Sequence, residues 1–189
     1  FISPARCFEV RVDLPESDRL EYAASADDER YRLAAAAPAK IKVVKSLVAK
    51  HEGERILVIG QYLDQIDTLA TQLDAPQLTG STPVAERERL YQEFREGITK
   101  VLVVSKVANF SIDLPEATVA IQVSGSFGSR QEEAQRLGRL LRPKESGLPA
   151  NFYTLVARDT VDQDFAQNRQ RFLAEQGYSY TILDAADLT

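Results

Sequence analysis

Ile56-Leu57-Val58-Ile59 and Val101-Leu102-Val103-Val104 are short, unbroken runs of aliphatic residues, most of them β-branched. A strand with one wet face alternates polar and apolar residues; a strand covered on both faces does not. The two runs therefore predict inner strands of a parallel sheet. Between them, Leu63, Ile66, Leu69, Ala70 and Leu73 recur at helical spacing. Thr82 followed by Pro83 predicts a helix N-cap and first helical residue, with Val84, Leu90, Tyr91 and Phe94 along one side. Strand, helix, strand is the pattern of an α/β fold.

The same pattern extends outward. Val119–Val123, Phe152–Val156 and Phe8–Val12 predict further strands. Ile41, Val44, Leu47 and Val48 predict a helix, as do Arg130–Leu141 and Val161–Gln176, the last ended by Gly177. The expected fold is a parallel sheet covered by helices on both faces. Residues 1–38 are expected to be an opening strand and an interdomain connector, with a compact domain over 39–189. Within 1–38, Pro15, Asp18, Asp27, Asp28 and Glu29 mark a polar helical stretch with no strong core stripe.

Composition narrows the chemistry. At 189 residues the chain fits one domain. Its net charge of −5 excludes a general polyanion binder but leaves room for a local basic face. The single Cys7 excludes an internal disulfide and a thiolate zinc cluster, and is expected to pack near a strand. The single His51 excludes a histidine metal cluster and is expected to be a solvated helix-end residue. No apolar run reaches the roughly 20 residues of a membrane span. Cysteine usage fits a reducing cytoplasm. There is no Met, so the sequence is expected to be a piece of a longer chain.

The basic face lies in residues 130–144, where Arg130, Arg136, Arg139, Arg142 and Lys144 oppose only Glu132 and Glu133. On a helix at about 100° per residue, Gln135, Arg139 and Arg142 fall on one side, and Leu137 and Leu141 on the other. Gly138 leaves room for close approach. Forked guanidinium groups suit phosphate and the charge that develops in phosphoryl transfer. Upstream, Ser105 at a strand end is followed by Asn109, Ser111, Asp113 and Pro115. In an open α/β sheet, ligands bind beyond the carboxyl ends of the strands.

Gln135-Arg136-Leu137-Gly138-Arg139-Leu140-Leu141-Arg142 resembles motif VI of superfamily 2 helicases. Ser105 to Pro115 resembles motif V, Ile56–Tyr62 motif IV, and Leu78-Thr79-Gly80-Ser81-Thr82 the segment between them. The run Ser111-Ile112-Asp113-Leu114-Pro115, then Gly128-Ser129-Arg130, then Glu133-Ala134-Gln135-Arg136 is similar to the XPB (xeroderma pigmentosum group B) family of DNA repair helicases. The resemblance covers Ala39 to Leu183. Ala108-Asn109 and Ser126-Phe127-Gly128 depart from the Gly-Asp and His-Gly-Gly of eukaryotic members and suggest a bacterial branch.

The resemblance implies a RecA-like second motor domain of an ATP-dependent 3′–5′ DNA helicase with a role in nucleotide excision repair. No Gly-x-x-x-x-Gly-Lys-Ser/Thr loop and no Walker-B sequence occurs here; the family places both in a first motor domain, which holds ATP and Mg2+. This chain alone is therefore expected to be inactive. It would supply Arg139 and Arg142 to the transferring phosphate, with Gln135, Gly138 and Asp113 at the nucleotide. DNA would meet backbone amides and hydroxyls at Gly60, Gln61, Thr79, Gly80, Ser105 and Lys106. The implied partners are DNA, the first motor domain and repair proteins, for a monomer. An RNA helicase, a duplex translocase and a stand-alone RecA-like interaction module are the alternatives.

Overall fold

A computed structural model describes residues 5–105, 117–125, 141–144 and 146–189. Its elements run in the order β1 (Ala5–Val12), α1 (Glu16–Ala24), α2 (Asp27–Ala35), α3 (Ala39–Lys50), β2 (Ile56–Gly60), α4 (Leu63–Leu73) and β3 (Gln77–Leu78). Then follow α5 (Val84–Arg95), β4 (Val101–Ser105), β5 (Val119–Gln122), β6 (Ala150–Ala157), α6 (Val161–Glu175) and β7 (Ser179–Asp184). The seven strands form one sheet in the order β3-β4-β2-β5-β6-β1-β7, and every pairing is parallel.

The unbroken apolar runs have the cause expected of them. β2 and β5 are buried at every residue, and neighbours along a strand enter different cores. Leu57, Ile59, Leu102, Val104, Ala120 and Phe152 pack on one face with Leu90, Tyr91 and Phe94 of α5. Ile56, Val58, Val103, Val119, Ile121 and Tyr153 pack on the other with α3 and α4. The period-two geometry of a strand divides each run between the two cores. Cys7 is buried in β1, as expected.

The opening strand of the 1–38 segment lies inside the sheet: β1 pairs with β6 on one side and β7 on the other. The polar helices α1 and α2 follow it; α1 buries no residue and α2 buries only Ala34 and Ala35.

Three local expectations are corrected. Helix α5 has Pro83 as its N-cap, and Thr82 instead accepts the Thr79 backbone N–H at 2.9 Å through its hydroxyl. Leu141 is a bridge partner of Ala117 and not a helical residue. His51 does end a helix, but it is buried: one ring nitrogen lies 2.6 Å from Glu54 Oε2 and the other 2.7 Å from the Tyr153 hydroxyl. The body of the expected 130–141 helix lies outside the described residues.

Candidate functional site

Parallel pairing brings the carboxyl ends of β2, β3, β4 and β5 to one edge, and the register sets their levels. Gly60 pairs with Ser105, and Leu78 with Val104, so Thr79 follows at the level of Ser105. Ile59 pairs with Gln122, so Val123 follows at the level of Gly60. Of the expected strand contacts, Gly60, Gln61, Thr79, Gly80 and Ser105 are thus gathered on three adjacent strand ends. Lys106, Asp113, Gln135, Gly138 and Arg139 lie outside the described residues.

Two of the backbone amides expected at this edge are already engaged within the chain. The Gln61 N–H is donated to Ser124 Oγ at 2.8 Å, and the Thr79 N–H to Thr82 Oγ1. Ser105 is buried. The groups facing solvent are the Gln61 side chain, Gly80 and Ser81, with the half-buried Thr79 hydroxyl 3.0 Å from that of Ser81. The Gln61 carboxamide oxygen accepts from the Tyr31 hydroxyl at 3.3 Å. Beside it, the Arg32 guanidinium lies 4.9 Å from the Tyr62 ring centroid and 2.8 Å from Asp64 Oδ2. A cation held by an aromatic face and a carboxylate keeps a defined position at the surface. Burial raises the Tyr31 hydroxyl above its ordinary pKa, with Tyr62 and Asp162 adding to the effect, so it stays a donor.

Close packing fixes the Gly60 end. A methyl there would lie 3.4 Å from Gln65 Oε1, Ile66 Cγ1 and Ser124 Oγ alike, at the limit of ordinary contact. The polar groups beneath Gly60 were not apparent in the sequence. Ser124 carries the one available signal, since it directly follows the apolar run 119–123 at a strand's carboxyl end. Gln65 and Lys40 sit on helices that read as apolar stripes, and nothing local marks them.

Arg142 stands apart from this edge. It is exposed, and its backbone N–H donates to Ala117 O at 3.0 Å, just before β5 begins. The nearby Lys144 Nζ lies 3.2 Å from Glu54 Oε1, before β2. Arg142 therefore sits at the amino edge, about one strand length, roughly 17 Å, from the carboxyl edge. The residues expected at DNA and the one described arginine expected at the nucleotide occupy separate places. An exposed guanidinium is the right donor for a phosphate. Among the described residues no group of three or more His, Cys, Asp or Glu could hold a metal ion. No helix among them is long and apolar enough to cross a membrane.

The described residues form an all-parallel seven-stranded sheet with helices on both faces, a RecA-like α/β fold. The solved C-terminal domain of the DEAD-box protein Dbp5 has this fold: TM-score 0.72 at 15% identity, covering 97% of this chain and 92% of that one. The ERCC3/RAD25/XPB C-terminal helicase family matches residues 1–188, and the chain belongs to that family. Two proteins named DNA 3′-5′ helicase XPB align along the whole chain. The one from Kineococcus radiotolerans is 65% identical over 188 residues and the one from Mycobacterium tuberculosis 61%. The chain spans 34% of the length of each.

Proposed function

We propose that this chain is the second motor domain of an ATP-dependent 3′–5′ DNA helicase that opens duplex DNA during nucleotide excision repair in the cytoplasm. Family membership across residues 1–188, with relatives named DNA 3′-5′ helicase, is the observation that carries the reading. Residues 39–189, with the strand that 1–38 adds to their sheet, form the motor domain. A first motor domain holds ATP with its magnesium. Arg139 and Arg142 neutralise charge on the transferring phosphate, while Gln135, Gly138 and Asp113 position the nucleotide. The carboxyl edge at Gly60, Gln61, Thr79, Gly80, Ser105 and Lys106 tracks one strand through its phosphates and reads no sequence.

Closing of the two domains on ATP and reopening after hydrolysis moves this edge along the strand. The domain works as a monomer, with repair proteins as further partners. The test uses the complete polypeptide with both motor domains. A duplex with a 3′ single-stranded tail is expected to be unwound with ATP, and a 5′-tailed duplex is not. Unwinding of RNA alone, or translocation along duplex without strand separation, would overturn the proposed substrate.

A further inference from the structure

Lys40 has no exposed surface. Taking an ammonium out of water is expensive, and an apolar side chain at such a site is often as good for stability or better. What a methyl cannot do is donate in fixed directions. The ammonium has three donors, and three acceptors meet them: Ala35 O at 3.1 Å, Val123 O at 2.8 Å and Asp162 Oδ2 at 2.7 Å. Burial holds the Lys40 pKa below its ordinary value, with Arg169 adding to the effect and Asp162 offsetting it only in part. The three acceptors match the three N–H donors of the charged form.

These contacts close a ring. Gln65 Nε2 donates to the same Ala35 O at 3.1 Å. Gln65 Oε1 accepts the Ser124 hydroxyl at 2.6 Å. Ser124 is bonded through the backbone to Val123, whose carbonyl Lys40 holds. The ring also has a direction. The Ser124 hydroxyl gives its one proton to Gln65, so its lone pairs face the Gln61 N–H, 2.8 Å away. The third arm, Asp162, accepts the Ala157 N–H at 3.0 Å and ties the start of α6 to the end of β6.

We propose that Lys40 is a positioning residue: its ammonium closes a buried hydrogen-bonded ring that sets the Gly60–Gln61 backbone at the edge where a nucleic-acid strand binds. The second half of the statement rests on the function proposed above; the ring itself does not. Lys40 touches no ligand. It acts through Val123, Ser124 and Gln65, and its loss frees the Gln61 amide without disturbing the sheet centre.

The test uses Lys40→Met, Ser124→Ala and the double variant of this chain. Amide hydrogen exchange is read at Gln61 and, as a control, at Val58 in the middle of β2. Strand affinity is read by titrating a fluorescent oligothymidylate. Each single variant is expected to speed exchange at Gln61 by about tenfold or more with Val58 unchanged, and the double variant to add little further. Strand binding is expected to weaken roughly two- to tenfold in each. Unchanged Gln61 exchange in folded Lys40→Met, or fully additive effects, would overturn the positioning role. Faster exchange with unchanged strand affinity would leave the ring standing and overturn Gly60–Gln61 as the strand contact. Should Lys40→Met not fold, the Lys40 ammonium signal is followed by nitrogen NMR in Ser124→Ala. It is expected to shift as the ring opens, and an unmoved signal would overturn the proposal.

Discussion

Replacing Tyr153 by Phe removes one oxygen and leaves every other packing atom in place. That hydroxyl lies 2.7 Å from a ring nitrogen of His51, which is 5% exposed. The other ring nitrogen faces the Glu54 carboxylate at 2.6 Å. A carboxylate accepts, so Nδ1 carries the proton, and in the neutral ring Nε2 accepts from the Tyr153 O–H. Burial pushes the Tyr153 pKa up to about 12, with the Asn151 side chain working against it and Glu54 with it, so the hydroxyl remains a donor across the accessible pH range. Tyr153→Phe leaves Nε2 buried without a partner. A buried group left unsatisfied costs about 1–3 kcal/mol. The ring still stacks on Phe8 at 5.0 Å between centroids, so its apolar contacts are kept. At roughly 2–4 °C per kcal/mol for a chain of this size, the thermal midpoint should fall by about 4–8 °C for a 2 kcal/mol loss. The assay is thermal and urea unfolding followed by circular dichroism, with an unchanged urea slope. His51→Leu combined with Tyr153→Phe should cost less than the sum of the two, since no orphan then remains. A midpoint within about 1 °C of the unmodified chain would refute the reasoning.

Glu54 gives a pH signature. Burial alone would raise its pKa, but hydrogen bonds from His51, Lys144 and Thr118 outweigh it and hold the carboxyl below its ordinary 4.5. A depressed folded-state pKa stabilises above the unfolded value and is lost as pH falls through the folded one. Urea unfolding of Glu54→Gln is therefore expected to show a deficit at neutral pH that closes as pH drops below 4.5. Leu57, fully buried in a central strand, should lose about 2–5 kcal/mol on replacement by Ala, read as a lower urea midpoint. The 189-residue chain alone is expected to turn over no ATP in a coupled assay, because its sequence carries no Gly-x-x-x-x-Gly-Lys-Ser/Thr loop to hold the phosphates. Its affinity for a single strand should sit at or beyond the weak end of about 10⁻⁴ to 10⁻⁶ M at physiological salt, given a net charge of −5.

The inner strands were legible because burial on both faces writes a nearly continuous apolar run, unbroken over 56–59 in β2 and 101–104 in β4 and interrupted only by Gln122 in β5 and by Asn151 and Thr154 in β6. The edge strand β7 was not: Ser179–Asp184 has no buried residue, so its sequence carries no such run. Its pairing with β1, the 2.8 Å bond from the Tyr180 hydroxyl to Glu9, the 2.9 Å bond from Arg158 to Asp184 and the half-buried Tyr180 and Leu183 anchor it there. In α3 the stripe read through Ile41 and Val48 is rotated from the buried face, which holds Lys40, Val43, Val44 and Leu47. A lysine on that face looks like a break in the pattern, because two of its three acceptors, Val123 and Asp162, come from distant segments. His51 misled for the same reason, since its Tyr153 partner is 102 positions away. At the carboxyl edge, the residues picked out by the sequence motifs lie on neighbouring strand ends, but the sequence did not show that the Gln61 and Thr79 amides are already donated within the chain.

The central claim is that this domain supplies arginines to a nucleotide held by another domain. DNA-stimulated ATP turnover and nucleotide affinity, measured together on Arg139→Ala and Arg142→Ala in the complete two-domain protein, test it most directly. A guanidinium placed on the transferring phosphate acts mainly on rate, and a supplied arginine finger is worth roughly 10³ to 10⁵. Turnover should fall by at least about 10²-fold while nucleotide affinity falls much less, and lysine should rescue poorly because an ammonium cannot fork across two phosphate oxygens. Turnover close to the unmodified rate in both variants would reduce the arginines to a solvated surface and contradict the account.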